Sequence, residues 1–290
     1  MMVKRILPLL AVLSALFVVW YGAAVLMNAS LQRDMFANAD NKSYTTADLI
    51  NSTLNMERPK LPAPHQIAAE LYRLIVVIDP TSKRSLVYHA AITLQETLLG
   101  FAVGATLGVA LAALIVSVAW LERSLMPWIV ASQTVPIIAL APMIVVILNQ
   151  FDIGGLVPKA VIAAYLSFFP ITVGMAKGLR APEPLQLDLM RTYSATNCQV
   201  LAKLRAPASL PFLFASLKVG AAAALVGAVV AEVTKSEDGG LGARLLAGSY
   251  YGQTVQIWAA LITAAALSGA LVALVDLVGR FVLKRRGFAI

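Results

Sequence analysis

Charge and thiols are what this sequence has least of. Asp, Glu, Lys and Arg make up 13% of its residues, about half the ~25% of an ordinary soluble domain. One cysteine, Cys198, among 290 residues excludes an intramolecular disulfide and any thiolate cluster around zinc or iron–sulfur. Two histidines, His65 and His89, leave little for a histidine-based centre, so neither metal nor cofactor is predicted. There is no Gly-x-x-x-x-Gly-Lys-Ser/Thr phosphate loop, no Gly-x-Ser-x-Gly elbow and no His-Glu-x-x-His helix, which removes a resident ATP site and the commonest hydrolase chemistries. What is plentiful is apolar side chain: 59% against ~45–50% in soluble domains, with a mean hydropathy of +0.79. That is more than a single soluble core of this length can use, and it excludes an ordinary soluble enzyme. The net charge of +8 would suit nucleic acid only if the basic residues shared a solvated face. They lie between apolar runs instead, so a bilayer, and not nucleic acid, is the expected partner.

A helix needs ~20 mostly apolar residues to cross a bilayer core. Six stretches qualify, at roughly 6–27, 90–119, 125–148, 156–176, 208–233 and 255–283. None alternates with period two, and a spanning backbone must bond to itself, so they are read as helices rather than barrel strands. The expected fold is all-α, a polytopic membrane protein with about six transmembrane helices forming a single domain. The first run follows Lys4 and Arg5, but at 22 residues it exceeds a typical signal-peptide core, so an uncleaved anchor is expected. With the N-terminus inside, the inner segments carry twelve Lys and Arg, and the two short outer loops only Lys159, Lys235 and Arg244. Both termini are therefore expected to be cytoplasmic. The segment 28–89 becomes an extracytoplasmic loop. Its first part, 28–60, is rich in Asn, Asp, Ser and Thr and reads as irregular. After Leu61-Pro62-Ala63-Pro64, Ile67, Leu71, Leu74, Ile75 and Ile78 recur at helical spacing, giving an amphipathic helix that lies either on the membrane surface or on the bundle. The two halves do not mirror each other, unlike an inverted-repeat transporter.

Gly100, Gly104 and Gly108 fall on one helix face, where small side chains let backbones approach closely in lipid; these are the candidate packing residues. Pro127, Pro136 and Pro142 occupy the third run, which should bend near Pro136. Gln133 and Thr134 beside it either repair the freed backbone or line a passage. Charges within spans are few: Glu96, Lys218, Glu232 and Asp276. Asp276 and Arg280, at i and i+4, suffice as a local ion pair, and no mid-membrane acid or histidine relay is evident.

The most patterned stretch is polar. Residues 177–207 read KGLRAPEPLQLDLMRTYSATNCQVLAKLRAP, too long and too patterned for a connector. Pro182 and Pro184 open a helix with Glu183 in its first turn. Leu185, Leu189 and Tyr193 then form an apolar ridge flanked by Asp188 and Arg191, suited to a groove on a soluble partner. In Asp188-Leu189-Met190, Ser194, Leu204 and Ala206-Pro207, with Pro211, the chain resembles the inner-loop motif of permease subunits of binding-protein-dependent ABC importers, in the nitrate, sulfonate, taurine and pyrimidine-precursor branch. Arg191-Thr192, Val229-Val230-Ala231-Glu232 with Gly240-Leu241-Gly242, Leu98-Leu99-Gly100-Phe101, Pro136 and Ala141-Pro142 extend the likeness from about residue 61 to the C-terminus.

The resemblance implies a type I importer permease in a bacterial inner membrane, itself no enzyme and without a cofactor. It would work with separate ABC ATPase subunits inside, a substrate-binding protein outside and a second permease subunit, with a homodimer expected. The segment 177–207 would be the cytoplasmic coupling loop. Its ATPase-coupling residues would be Glu183, Leu185, Asp188, Leu189, Arg191, Tyr193, Ser194 and Pro207, Ser194 standing where the motif has glycine. Candidates for the translocation pathway are Gln133, Thr134, Tyr165, Ser167 and Glu232. The solute would be small and polar or anionic. The alternative reading is an ion-gradient-driven secondary transporter.

Overall fold

The computed structural model describes residues 2–38 and 44–288, and among these every regular element is helical. In chain order they are α1 (Met2–Asn38), α2 (Thr46–Leu54), α3 (Pro64–Tyr72), α4 (Leu86–Ser117), α5 (Ala119–Ser132), α6 (Ile137–Gln150), α7 (Leu156–Leu179), α8 (Pro184–Thr192), α9 (Asn197–Val200), α10 (Ala206–Thr234), α11 (Leu241–Tyr250) and α12 (Thr254–Arg285). Wider, π-type turns continue α3 through Arg73–Val77 and join α9 to α10 through Leu201–Arg205.

Five stretches are long and apolar enough to cross a membrane: Leu10–Asn38, Leu86–Ser117, Leu156–Leu179, Asn197–Thr234 and Thr254–Arg285. The run expected as one span at 125–148 is divided. Its two parts, Trp120–Ser132 and Ile137–Gln150, meet at 100°, so a sixth span exists only if they count together. Pro136 is the residue before α6, with ψ of 120°. It has no N–H to give to the preceding turn and it disfavours helical geometry at Val135, so the expected bend becomes a break. Residues 28–38 and 46–54 are also helical, against what their composition suggests. α1 continues to Asn38 through a stretch free of Gly and Pro. α2 begins at a reciprocal cap, in which Thr45 Oγ1 accepts from the Asp48 N–H and Asp48 Oδ2 accepts from the Thr45 N–H. Part of that expectation, residues 39–43, lies outside the described residues.

The chain forms two compact units. The first comprises residues 1–88 and 244–263. In it, fully buried Asn28 on α1 accepts from the Lys60 and Leu61 N–H groups and donates to Leu61 O at 2.8 Å, while Trp20 Nε1 donates to Pro62 O. These bonds fasten 60–62 along α1, and Trp20 also lies 5.0 Å from Trp258 between ring centres. Ile67 and Leu74 are buried whereas Tyr72, Val76 and Val77 are exposed, so α3 and its π-type extension bury one edge within this unit and leave the other open.

The second unit comprises residues 89–243 and 264–290, with α7 packed between α4 and α10. Close approach is what makes the small residues necessary. A Cβ on Gly104 would lie 2.8 Å from Ala164 O, one on Gly108 3.0 Å from Ile171 Cβ, and one on Gly227 2.7 Å from Ala163 Cα. Gly100 likewise faces Ala160 O and Ala163. Apolar groups complete the layers, all small at one level in Ala163, Ala224 and Ala228, and mixed in size at another in Ala112, Met175, Ala176 and Leu179. Lys218 on α10 donates to Asp276 on α12 at 2.8 Å, so Asp276 serves an interhelical pair as well as its local one with Arg280.

Candidate functional site

Two constellations on α7 and its neighbours carry the functional argument. The first is the segment after α7. α8 starts without a side-chain N-cap, but Gln186 Oε1 accepts from the Glu183 N–H at 3.1 Å and so satisfies one of the orphan donors. Pro184 is the first helical residue, where a missing N–H costs nothing. No residue of α8 is buried. Leu185, Leu189 and Tyr193 are 77%, 57% and 80% exposed, a continuous apolar ridge of the kind that soluble surfaces avoid. Asp188 Oδ1 accepts from Arg191 at 2.9 Å, so these charges pair with each other along the helix.

α8 ends in a tight reversal. The Ala195 N–H bonds to Met190 O and the Ser194 N–H to Arg191 O, while Ser194 adopts φ of +51°. This is the Schellman arrangement, which places the residue after the C-cap in the left-handed region that favours glycine. Ser194 thus performs the glycine turn without being glycine. Thr196 then caps α9 reciprocally with Gln199. From Asn197 the chain runs as helix without interruption to Thr234, Pro207 falling in the first turn of α10. The exposed ridge is therefore mounted between two long helices, α7 and α10, that pack on one another.

The second constellation sits at the opposite end of α7. Lys159, assigned by its sequence position to an outer loop, is instead inside α7 and fully buried, 2.9 Å from Glu96 Oε1 on α4. Asp238, 43% exposed, approaches the same ammonium at 3.5 Å. Glu232, the last acid on α10, is also fully buried; it accepts from Thr93 Oγ1 and from the Gly242 N–H, both at 2.6 Å. The Gly240 N–H donates to His89 Nδ1. Gly240 has φ of +107°, and a Cβ there would strike the Glu232 carboxyl, which explains why glycine follows that acid at this spacing. The cluster ties the near ends of α4, α7 and α10 to the 235–240 loop and the first residues of α11. Burying the Lys159 ammonium and the Glu96 and Glu232 carboxyls is costly in a membrane protein and is offset by the Lys159–Glu96 pair and by the bonds that Thr93 and Gly242 give to Glu232.

Three of the five pathway candidates, Gln133, Thr134 and Tyr165, meet at the α5–α6 break, and Ser167 and Glu232 lie elsewhere. Thr134 Oγ1 donates to Ala131 O and so serves the broken backbone, whereas Gln133, the C-cap of α5, turns its side-chain amide to the Ser132 hydroxyl. Tyr165 Oη donates to Ser132 O at the same break. Ser167 is buried against Gly104 and its hydroxyl returns to Ala164 O. Glu232 belongs to the buried cluster. Lys159, Thr93 and Asp238 were missed from sequence; the one signal for Lys159 was a lysine three residues into an apolar run, just after Pro158.

A family profile described as "Binding-protein-dependent transport system inner membrane component" matches residues 104–287. The chain is 30% identical over 222 residues to a probable ABC transporter permease protein of Haemophilus influenzae, covering 76% of this chain and 85% of that protein. It is 30% identical to the riboflavin transport system permease protein of Chloroflexus aurantiacus, with 77% and 80% covered. Against the formylaminopyrimidine transport permease protein of Halalkalibacterium halodurans it is 33% identical, with 62% and 67% covered. With its apolar helices and the exposed helix after α7, this chain belongs to the binding-protein-dependent transport system inner membrane component family and is a multi-pass transport permease subunit.

Proposed function

We propose that this chain is the membrane subunit of an ATP-driven importer, with α8 as the helix that a separate ATPase subunit grips. The observation that carries this reading is the exposed Leu185–Leu189–Tyr193 ridge held between α7 and α10. Closure of the ATPases on ATP would displace α8, and the two mounted helices would carry that displacement into the bilayer and open the pathway outward. A binding protein would deliver the solute from outside. A second copy of the chain would complete the pathway, in a bacterial inner membrane with both termini cytoplasmic. The relatives named for riboflavin and formylaminopyrimidine transport support a small polar or anionic solute.

The test uses proteoliposomes containing the permease with its ATPase and binding protein. Uptake should require ATP, stop with vanadate and ignore an uncoupler; the opposite pattern sinks the reading in favour of an ion-gradient carrier. Arg191→Glu, which reverses charge beside the ridge, should cut ATPase co-purification and uptake together.

A further inference from the structure

The end of α7 that leads into α8 is bordered by two clefts, of about 460 and 680 Å³, that share Met126 on α5. Their rim carries three cations, Arg123, Lys177 and Arg180. The single acid on that rim, Glu122, lies 2.7 Å from Arg180, and among the described residues no acid comes within ion-pair distance of Arg123 or Lys177. Below the rim the walls are apolar: Met126, Val130, Val173 and Phe212. Trp128, on the same helix as Arg123, is 76% exposed, and tryptophan is the residue type enriched where a membrane meets water.

We propose that this cleft holds an anionic phospholipid, its phosphodiester against Arg123 and Lys177 and an acyl chain along Val173 and Phe212. The excess of two positive charges calls for an anion. The apolar wall beneath calls for a tail on that anion, which a free phosphate lacks. The position at the ends of spanning helices puts headgroup and hydrocarbon at their natural depths, and basic pockets between such helices are suited to lipid headgroups. The proposal depends on the chain spanning a membrane and not on what drives transport.

The test is native mass spectrometry of the full chain purified in detergent and titrated with dioleoyl phosphatidylglycerol or dioleoyl phosphatidylcholine. The anionic lipid should be retained and the zwitterionic one lost. Arg123→Gln with Lys177→Gln should weaken retention about 25-fold, roughly fivefold for each cation removed. Val173→Trp, which fills the apolar half while leaving every cation in place, should displace the lipid as well. Equal retention of the two lipids would overturn the site, as would undiminished binding by either variant. Displacement by millimolar inorganic phosphate would reassign the cations to a soluble anion and equally end the proposal.

Discussion

At Ser194 a residue with a side chain occupies φ of +51°, a conformation that costs an L-residue about 1–2 kcal/mol and glycine almost nothing. Ser194→Gly should therefore hold the turn after α8 more firmly, by about 0.5–1 kcal/mol once glycine's extra freedom in the unfolded chain is subtracted. Ser194→Val should loosen it by more than that. Hydrogen exchange of the Ser194 and Ala195 amides, both bonded in the turn, reads the difference directly; unchanged protection in both variants would show that the turn is not strained. At the other end of α7, Lys159 and Glu96 bury opposite charges 2.9 Å apart. Lys159→Met strands the Glu96 carboxylate and should cost about 3–5 kcal/mol, whereas Lys159→Met combined with Glu96→Gln should recover most of that loss. Thermal unfolding in detergent, with size exclusion to score the folded fraction, distinguishes the two. A double variant as damaged as the single one would mean that shape at this site matters more than charge.

Helix α7 is gripped from two sides, and the grip depends on what its partners lack. Adding one methyl at Gly104 on α4 brings it to 2.8 Å from Ala164 O and into the Ser167 hydroxyl, so Gly104→Ala should destabilise by about 1–3 kcal/mol through overpacking. Gly22 on α1 has nothing within 4 Å of the corresponding position, and Gly22→Ala serves as the control that keeps the melting point or raises it slightly. Equal effects at both positions would refute close packing as the role of Gly104. The spacing of Gly100, Gly104 and Gly108 made that face legible in advance, because periodicity is local and survives in a bare sequence. The α5–α6 break was half legible: Pro136 announces a disturbance, but neither its 100° extent nor the bond that Tyr165 on α7 gives to the freed Ser132 carbonyl, a partner distant in sequence. The Lys159–Glu96 pair was not legible, since its members are far apart in sequence: Glu96 reads as a lone charge within a span and Lys159 as part of an outer loop. α2 was hidden by composition. Its Asn, Ser and Thr residues suggest a coil, and only the pairing of Thr45 with Asp48 reveals a helix start.

Across the whole molecule, the proposed transmission depends on stiffness between the ATPase contact and the bilayer. The Schellman turn leads from α8 into a helix that is continuous from Asn197 to Thr234, and α10 in turn packs on α7, so toward α10 a displacement of Leu185 or Tyr193 has only the short bonded turn at 193–196 to cross. Stiffness can be removed without touching the ridge. Two glycines inserted between Thr196 and Asn197 would separate the Thr196 cap from the helix it starts and add freely rotating backbone at the joint. The ATPase should still co-purify, because α8 keeps every exposed contact, while ATP-driven uptake in proteoliposomes should fall at least tenfold and ATP hydrolysis should no longer respond to the binding protein. Retained uptake would show that force does not pass through this joint. Loss of ATPase binding would instead place part of the docking surface in α9, extending the contact beyond the ridge.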